Sequence, residues 1–182
     1  MTPRNRKRLG LVLLVALFLA PLTAAIVLNA IGWRPEGTRN YGELVEPPRP
    51  LAQARFLLAD GQPLQWKDAD WSWTIFVLTG PGCADACLAR IDELRRARLT
   101  LNQNAHRVRV LVLDDSLPAS ALSALAPVAA ARDADAALAA MHPGPGEVAV
   151  AIADPHGFLV MHYAAGYDAN RLRKDLVRLV KR

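Results

Sequence analysis

Two cysteines, Cys83 and Cys87, stand with three residues between them in the stretch "TGPGCADACLARI" at residues 79–91, and the chain has no others. The hydropathy pattern places a strand before them and a helix after, so the pair falls at the first turn of that helix. In an i, i+4 relation both side chains share one helix face with Cβ atoms about 5–6 Å apart, whereas a disulfide wants about 3.8 Å. The pair therefore closes only if the helix tightens or unwinds locally, and such a bridge is of the reducible kind. Unpaired N–H groups and the dipole at the helix N-terminus favour the thiolate of Cys83, the form that attacks disulfides and binds soft metals. Two thiolates on one face also make a partial site for Cu(I), which takes a further ligand such as His or Met. The competing reading is inert: buried structural thiols, or a local disulfide whose ring is too short to gain much from loop closure.

The elements that must position this pair are legible on either side. "SWTIFVLTG" at residues 72–80 is rich in β-branched and aromatic residues and is stopped by Pro81 and Gly82, as a buried central strand is. "ADACLARIDELRRARLTLNQ" follows as an amphipathic helix with Leu88, Ile91, Leu94 and Leu99 on its apolar side. "RVRVLVLDD" at residues 107–115 reads as a second core strand, and Ser116 to Met141 as an Ala-rich helical region broken near Pro127. "EVAVAIAD" and "FLVMHYAAG" are two strands joined by a turn at "PHG", and upstream "ARFLLADGQPLQW" reads as a hairpin turning at Asp60-Gly61. "YDANRLRKDLVRLVKR" closes the chain as a helix with Asp168 as N-cap and Leu172, Leu176 and Leu179 on one face. Helices alternating with strands predict an α/β domain whose central sheet has helices on both faces.

Residues 9–31 are almost wholly apolar and match the ~20 residues that a membrane-spanning helix needs. Arg4, Arg6, Lys7 and Arg8 precede the run and Trp33 follows it, which predicts a cytoplasmic N-terminus and an interfacial anchor on the far side. A cleaved signal peptide with "LTAA" at residues 22–25 is the alternative, but the apolar run continues past that point without a polar c-region. Either way the domain leaves the cytosol for an oxidising compartment, in which disulfides persist. The expected organisation is a basic cytoplasmic tail at 1–8, a transmembrane helix at 9–31, a Pro-rich linker at 32–50 and an α/β domain at 51–182. The basic excess of the chain, 22 against 17 acidic residues, comes largely from those four N-terminal cations. What remains is nearly balanced, so no electrostatic footprint for nucleic acid is left.

The stretches "FLLADGQPL", "TIFVLTGPGCADAC" with its C-x-x-x-C, "RVRVLVLD" and "AIADPHGFLVMHY", together with the N-terminal anchor, cover most of the chain after residue 50. In these the sequence resembles the thioredoxin superfamily, and more specifically the membrane-anchored Sco/SenC-type proteins of cytochrome c oxidase assembly. The resemblance implies a thioredoxin-like central sheet flanked by helices and preceded by one transmembrane helix. It also implies a single-pass protein of the bacterial inner membrane with a periplasmic domain. In such proteins the cysteine pair and a distant His bind copper and deliver it to the oxidase's dinuclear copper centre, or keep that centre's own cysteines reduced. A cytochrome c oxidase subunit or another assembly factor is thus the implied partner, and Cys83, Cys87 and one His are the implied ligands. By that reading Cys83 is the attacking thiolate and Cys87 the resolving one.

Three departures accompany the resemblance. Leu88 stands where the family motif continues with Pro, and Val77 where thioredoxins proper keep a buried acid. The family's copper-binding His would fall near Gly146, and His142 in "MHPGPG" is the nearest candidate. His106, His156 and His162 read as structural, and Met141 and Met161 as core. Pro145 lies close to where thioredoxin-like folds place a cis-proline facing the cysteines. A general thiol-disulfide oxidoreductase and a non-catalytic interaction module with a structural disulfide are the alternative functions.

Overall fold

The computed structural model describes residues 3–33, 40–114, 117 and 119–181. Residues 34–39 of the expected linker, Ser116 at the start of the expected Ala-rich helix, and the side chains of Arg4, Arg6 and Lys7 lie outside the described residues. The chain divides into two compact units, residues 1–39 and 40–182. In the first, helix α1 (Pro3–Ala30) runs through Pro21, and its Gly10–Ala30 portion, 21 residues, is long and apolar enough to cross a membrane. Its apolar side chains, among them Leu11, Leu17, Phe18 and Ile26, are exposed along its length.

The second unit is built on a seven-stranded mixed sheet. In chain order its strands are β1 (Glu43–Pro50), β2 (Phe56–Leu58), β3 (Trp73–Thr79), β4 (Val108–Leu113), β5 (Ala129–Asp133), β6 (Val148–Ala153) and β7 (Phe158–Tyr163). Across the sheet the order is β1-β7-β6-β3-β4-β5-β2. β3, β4 and β5 are parallel, and β6 runs antiparallel to β3. β3 is the hub, bonded to β4 on one side and β6 on the other, which is why its residues 74–79 are buried without interruption.

The two-residue period of β3 separates two cores. Ile75 and Val77 face a cluster with Val110, Val112, Val150 and Ile152 of the sheet, covered by Ile91 and Leu94 of α2 (Asp85–Leu99) and Leu172 and Leu176 of α4 (Ala169–Val180). Phe76 and Leu78 face the other way, toward Phe56, Leu64, Leu111, Leu113 and Leu138. Phe56 stacks on Phe76 with ring centroids 4.7 Å apart. Both long helices thus lie on one face. The second face, expected to carry a helix, is covered instead by the 51–66 segment and the 3-10 turn Ala139–Met141.

Two further differences from the sequence expectation have physical causes. The 116–141 region is not a broken helix: it holds the short α3 (Ala119–Ser123), then strand β5. β5 is hydrogen-bonded to β4 on one side and β2 on the other, and two ladders outweigh the helix propensity of "AAARD". Residues 43–50, read as linker, form β1 along β7, pairing Glu43 with His162 and, after a shift of register, Arg49 with Leu159. An edge strand tolerates Pro47, Pro48 and Pro50 because one of its sides needs no donors. Cis peptide bonds precede Pro47 and Pro127; the bond before Pro145 is not among them.

Asp168 caps α4 as expected, accepting from the amides of Asn170 and Arg171 at 2.8 and 3.3 Å. The Asp60-Gly61 turn also forms, with Gly61 at φ 78° and the Leu58 amide donating to Gln62 at 2.8 Å. Only its first arm is a full strand, and that arm spends its other edge on β5.

Candidate functional site

β3 ends at Thr79, and the chain leaves it through Gly80, Pro81 and Gly82 before Cys83. Gly82 has φ 74°, a left-handed turn that aims the chain into α2. The helix begins later than its periodicity suggests, with Ala84 as N-cap, so Cys83 lies outside it and Cys87 in its first turn. The two cysteines are therefore not both on one helix face. That displacement supplies the local unwinding the pair needs: their Cα atoms are 5.3 Å apart and a disulfide joins them.

The two sulfurs have unequal surroundings. Cys87 is 1% exposed and packs with Ile91, Val77 and Val150 in the helix-covered core, while Cys83 is half-buried at its margin. No side chain caps the N-terminus of α2, since Ala84 has no acceptor to offer. The first amides of the helix are thus left for solvent or for a thiolate when the bridge opens. The amides of Cys87 and Leu88 both donate to Ala84 O, at 2.9 and 3.0 Å. Leu88 therefore uses an N–H that the family's Pro does not possess.

A loop from a distant part of the chain runs beside this turn. Gly80 donates to Glu147 O and Gly146 donates to Pro81 O, each at 2.9 Å. A Cβ on Gly80 would run into the carbonyl oxygen of Gly144, so this approach admits no side chain. His142 comes with the same loop. Its Nδ1 lies 3.0 Å from Thr79 O, an oxygen that can only accept, so Nδ1 is the donor in this contact. The ring also lines a cavity of about 490 Å³ with Thr79, Pro81, Asp114, Arg132 and Asp133. This cavity sits at the carboxyl ends of the parallel strands β3, β4 and β5, where open sheets place ligands. Thr79 Oγ1 donates to Asp114 at 2.6 Å within it.

Among the described residues no three His, Cys, Asp or Glu side chains converge on a point where a metal could sit. The structure joins Cys83 to Cys87 and brings His142 to the strand end that leads to them, but does not gather the three into one donor set. Of the others, His106 and His156 lie at the opposite end of the sheet, before β4 and after β6. Met161 is core and Met141 packs against the second cluster. Tyr167 packs against the cysteine-bearing cluster with the Arg90 guanidinium 4.4 Å over its ring, and burial pushes its hydroxyl up to about 12. Sequence reasoning missed the cavity residues Thr79, Asp114 and Arg132, which lie at the ends of three strands separated by long stretches of chain.

Comparison with known proteins fits this geometry. The sequence profile of the transmembrane-like, thioredoxin-like, C-terminal domain family matches residues 73–182. No curated protein matches the sequence. Among solved structures, apo Sco1 from Thermus thermophilus is similar at 18% identity and TM-score 0.51, covering 81% of this chain and 98% of that one. Copper-bound yeast Sco1 is similar at 16% identity and TM-score 0.52, covering 80% and 95%. BsSco, a Sco-family cytochrome c oxidase assembly protein with a disulfide switch, matches at 14% identity and TM-score 0.50, covering 81% and 95%. At such identities the likeness is one of fold, a thioredoxin-like sheet with flanking helices. The profile match extends from the strand that leads to the cysteines through to the C-terminal helix, and by it the chain belongs to the transmembrane-like, thioredoxin-like C-terminal domain family.

Proposed function

We propose that this protein is a membrane-tethered thiol-disulfide exchange protein of an oxidising outer compartment, acting in cytochrome c oxidase assembly. The observation that carries the reading is the Cys83–Cys87 disulfide at the N-terminus of α2, whose N-cap Ala84 offers no side-chain acceptor, with Cys83 half-buried and Cys87 buried. In the reduced protein, helix amides favour the Cys83 thiolate. Its sulfur attacks a partner disulfide, forming a mixed disulfide and releasing one partner sulfur as a thiolate, which takes up a proton. Cys87, once deprotonated, then attacks the Cys83 sulfur, releases the second partner thiol and closes the intramolecular bridge. Two electrons pass to the partner, and a thiol reductant of the same compartment must return them. The apolar helix supports anchoring by residues 9–31, and the basic residues before it support a cytoplasmic N-terminus and a periplasmic domain.

The tie to the oxidase rests on the fold shared with Sco proteins, of which BsSco is an oxidase assembly protein and the yeast protein a copper-bound one. Copper enters here as cargo. The disulfide cannot take Cu(I), but its reduced form offers two soft thiolates, with His142 on the adjoining loop as the candidate imidazole donor. Two thiolates without a preassembled third ligand favour transient holding over tight storage.

The test is to reduce the full-length protein, titrate it with Cu(I), and measure its dithiol potential against glutathione. Reversible closure of the disulfide is expected, with or without one equivalent of copper; a pair that neither cycles nor binds would sink the reading. In cells, replacing both cysteines by Ser should lower oxidase activity while leaving other periplasmic disulfide proteins folded. A broad folding defect would point to a general oxidoreductase, and no effect to a structural staple.

A further inference from the structure

Basic charge is unevenly distributed over the second unit. Residues 167–182 hold six basic and two acidic residues, whereas residues 33–166 hold twelve basic and fifteen acidic. Within α4, Arg171, Lys174 and Arg178, with Lys181 just after it, recur at helical spacing and are exposed, while Leu172, Leu176 and Val180 form the buried side. The stripe thus faces away from the core.

Tyr41 stands in the middle of this stripe. Its side chain is 48% exposed, and Arg171, Lys174 and Arg178 approach its ring at 5.3, 5.7 and 5.8 Å from the centroid. The chain is fastened at the same place, since the amides of Tyr41 and Gly42 donate to the buried Asp175 carboxylate of α4 at 2.7 and 3.1 Å. Only ten peptide links separate Ile31, just beyond α1, from Tyr41, a reach of at most about 35 Å.

We infer that the outer face of α4, with Tyr41 at its centre, is a docking surface for the anionic phospholipid headgroups of the membrane that holds α1. The inference rests on the membrane-anchored reading. Cations attract phosphate headgroups within a Debye length of the surface, and an exposed tyrosine with its polar tip suits the headgroup layer. An acidic protein could satisfy the same charges, but the tether decides for lipid. A surface that the chain is bound to stay within reach of is present at high effective concentration, and a diffusing partner is not. Docking by α4 would hold one face of the domain against the membrane.

The experiment uses the full chain reconstituted into nanodiscs of phosphatidylcholine alone or with phosphatidylglycerol, read by amide hydrogen exchange. Slower exchange across residues 169–181 and around Tyr41 is expected only with phosphatidylglycerol, and high salt should abolish it. The triple variant Arg171→Gln, Lys174→Gln, Lys181→Gln, which changes exposed side chains only, should lose the protection, with the docked-to-free ratio falling about fivefold per cation removed. A chain that stays in the bilayer through a carbonate wash but exchanges identically in both lipids would overturn the docking and leave the anchor intact. A chain that washes out would overturn both. Protection that appears over native membranes but not over phosphatidylglycerol would assign the face to an acidic protein and overturn the lipid proposal.

Discussion

Cys83 and Cys87 differ in burial, and the proposed roles of attacker and resolver rest on that difference. Cys83 is half-buried at the margin of the helix-covered core, whereas Cys87 is 1% exposed within it. Cys87→Ser should therefore stop at a stable mixed disulfide with a small aromatic disulfide reagent, detectable by mass, while Cys83→Ser should react at a small fraction of that rate. Equal reactivity of the two variants would mean that the sulfurs are not ordered as attacker and resolver. The pair itself was legible, because spacing along a chain is a local property. Two things about it were not: that Cys83 precedes the helix, and that Gly80 must lack a side chain. The first depends on where the turn at Gly82 releases the chain, the second on a carbonyl that arrives from Gly144.

At the scale of elements, α4 and the leading edge of β1 are joined through one buried carboxylate. Asp175 accepts from Tyr41 N, Gly42 N and the Tyr163 hydroxyl, the last at 2.6 Å, and its other oxygen accepts from Arg178 at 3.0 Å. Burial and the adjacent carboxylate hold the Tyr163 hydroxyl far above the ordinary tyrosine range, so it remains a donor at every working pH. Tyr163→Phe should cost about 1.5–3 kcal/mol, the usual worth of a hydrogen bond to a charged group. Asp175→Ala, which leaves two amides and a hydroxyl without their acceptor, should cost about 3–5 kcal/mol. Urea unfolding of the two variants measures both, and equal losses would mean that the carboxylate does not join the elements as described. The helices and the strands β3, β4, β6 and β7 were readable from their periodicity. β1 and β5 were not, since Pro-rich and Ala-rich stretches become strands only when a neighbouring edge supplies their hydrogen bonds.

For the whole molecule, the edge of the sheet where β1 meets β7 contains a pH-sensitive point. His162 pairs with Glu43 across the two strands, and its Nε2 is buried with no hydrogen-bond partner among the described residues. Burial lowers its affinity for a proton, and the Glu43 charge offsets this only in part. A histidine with a depressed folded-state value contributes stability that is complete above its ordinary pKa of about 6.5 and is lost as the pH falls below it. Thermal unfolding followed from pH 8 toward about pH 5 should therefore show a falling midpoint, and His162→Gln should flatten the part of the slope due to this group. An unchanged slope in that variant would place the acid sensitivity elsewhere.

The sequence by itself determined the cysteine pair, the apolar N-terminal helix, the central strands and the capped C-terminal helix. Each of these is a matter of residue type and spacing within about 20 positions of chain. Only the tertiary structure decided that α2 and α4 share one face, that residues 43–50 supply an edge strand, and that His142 bonds to Thr79. These depend on groups tens of residues apart meeting in space, and no local pattern of hydropathy encodes which strand edge, carbonyl or cavity a segment will find.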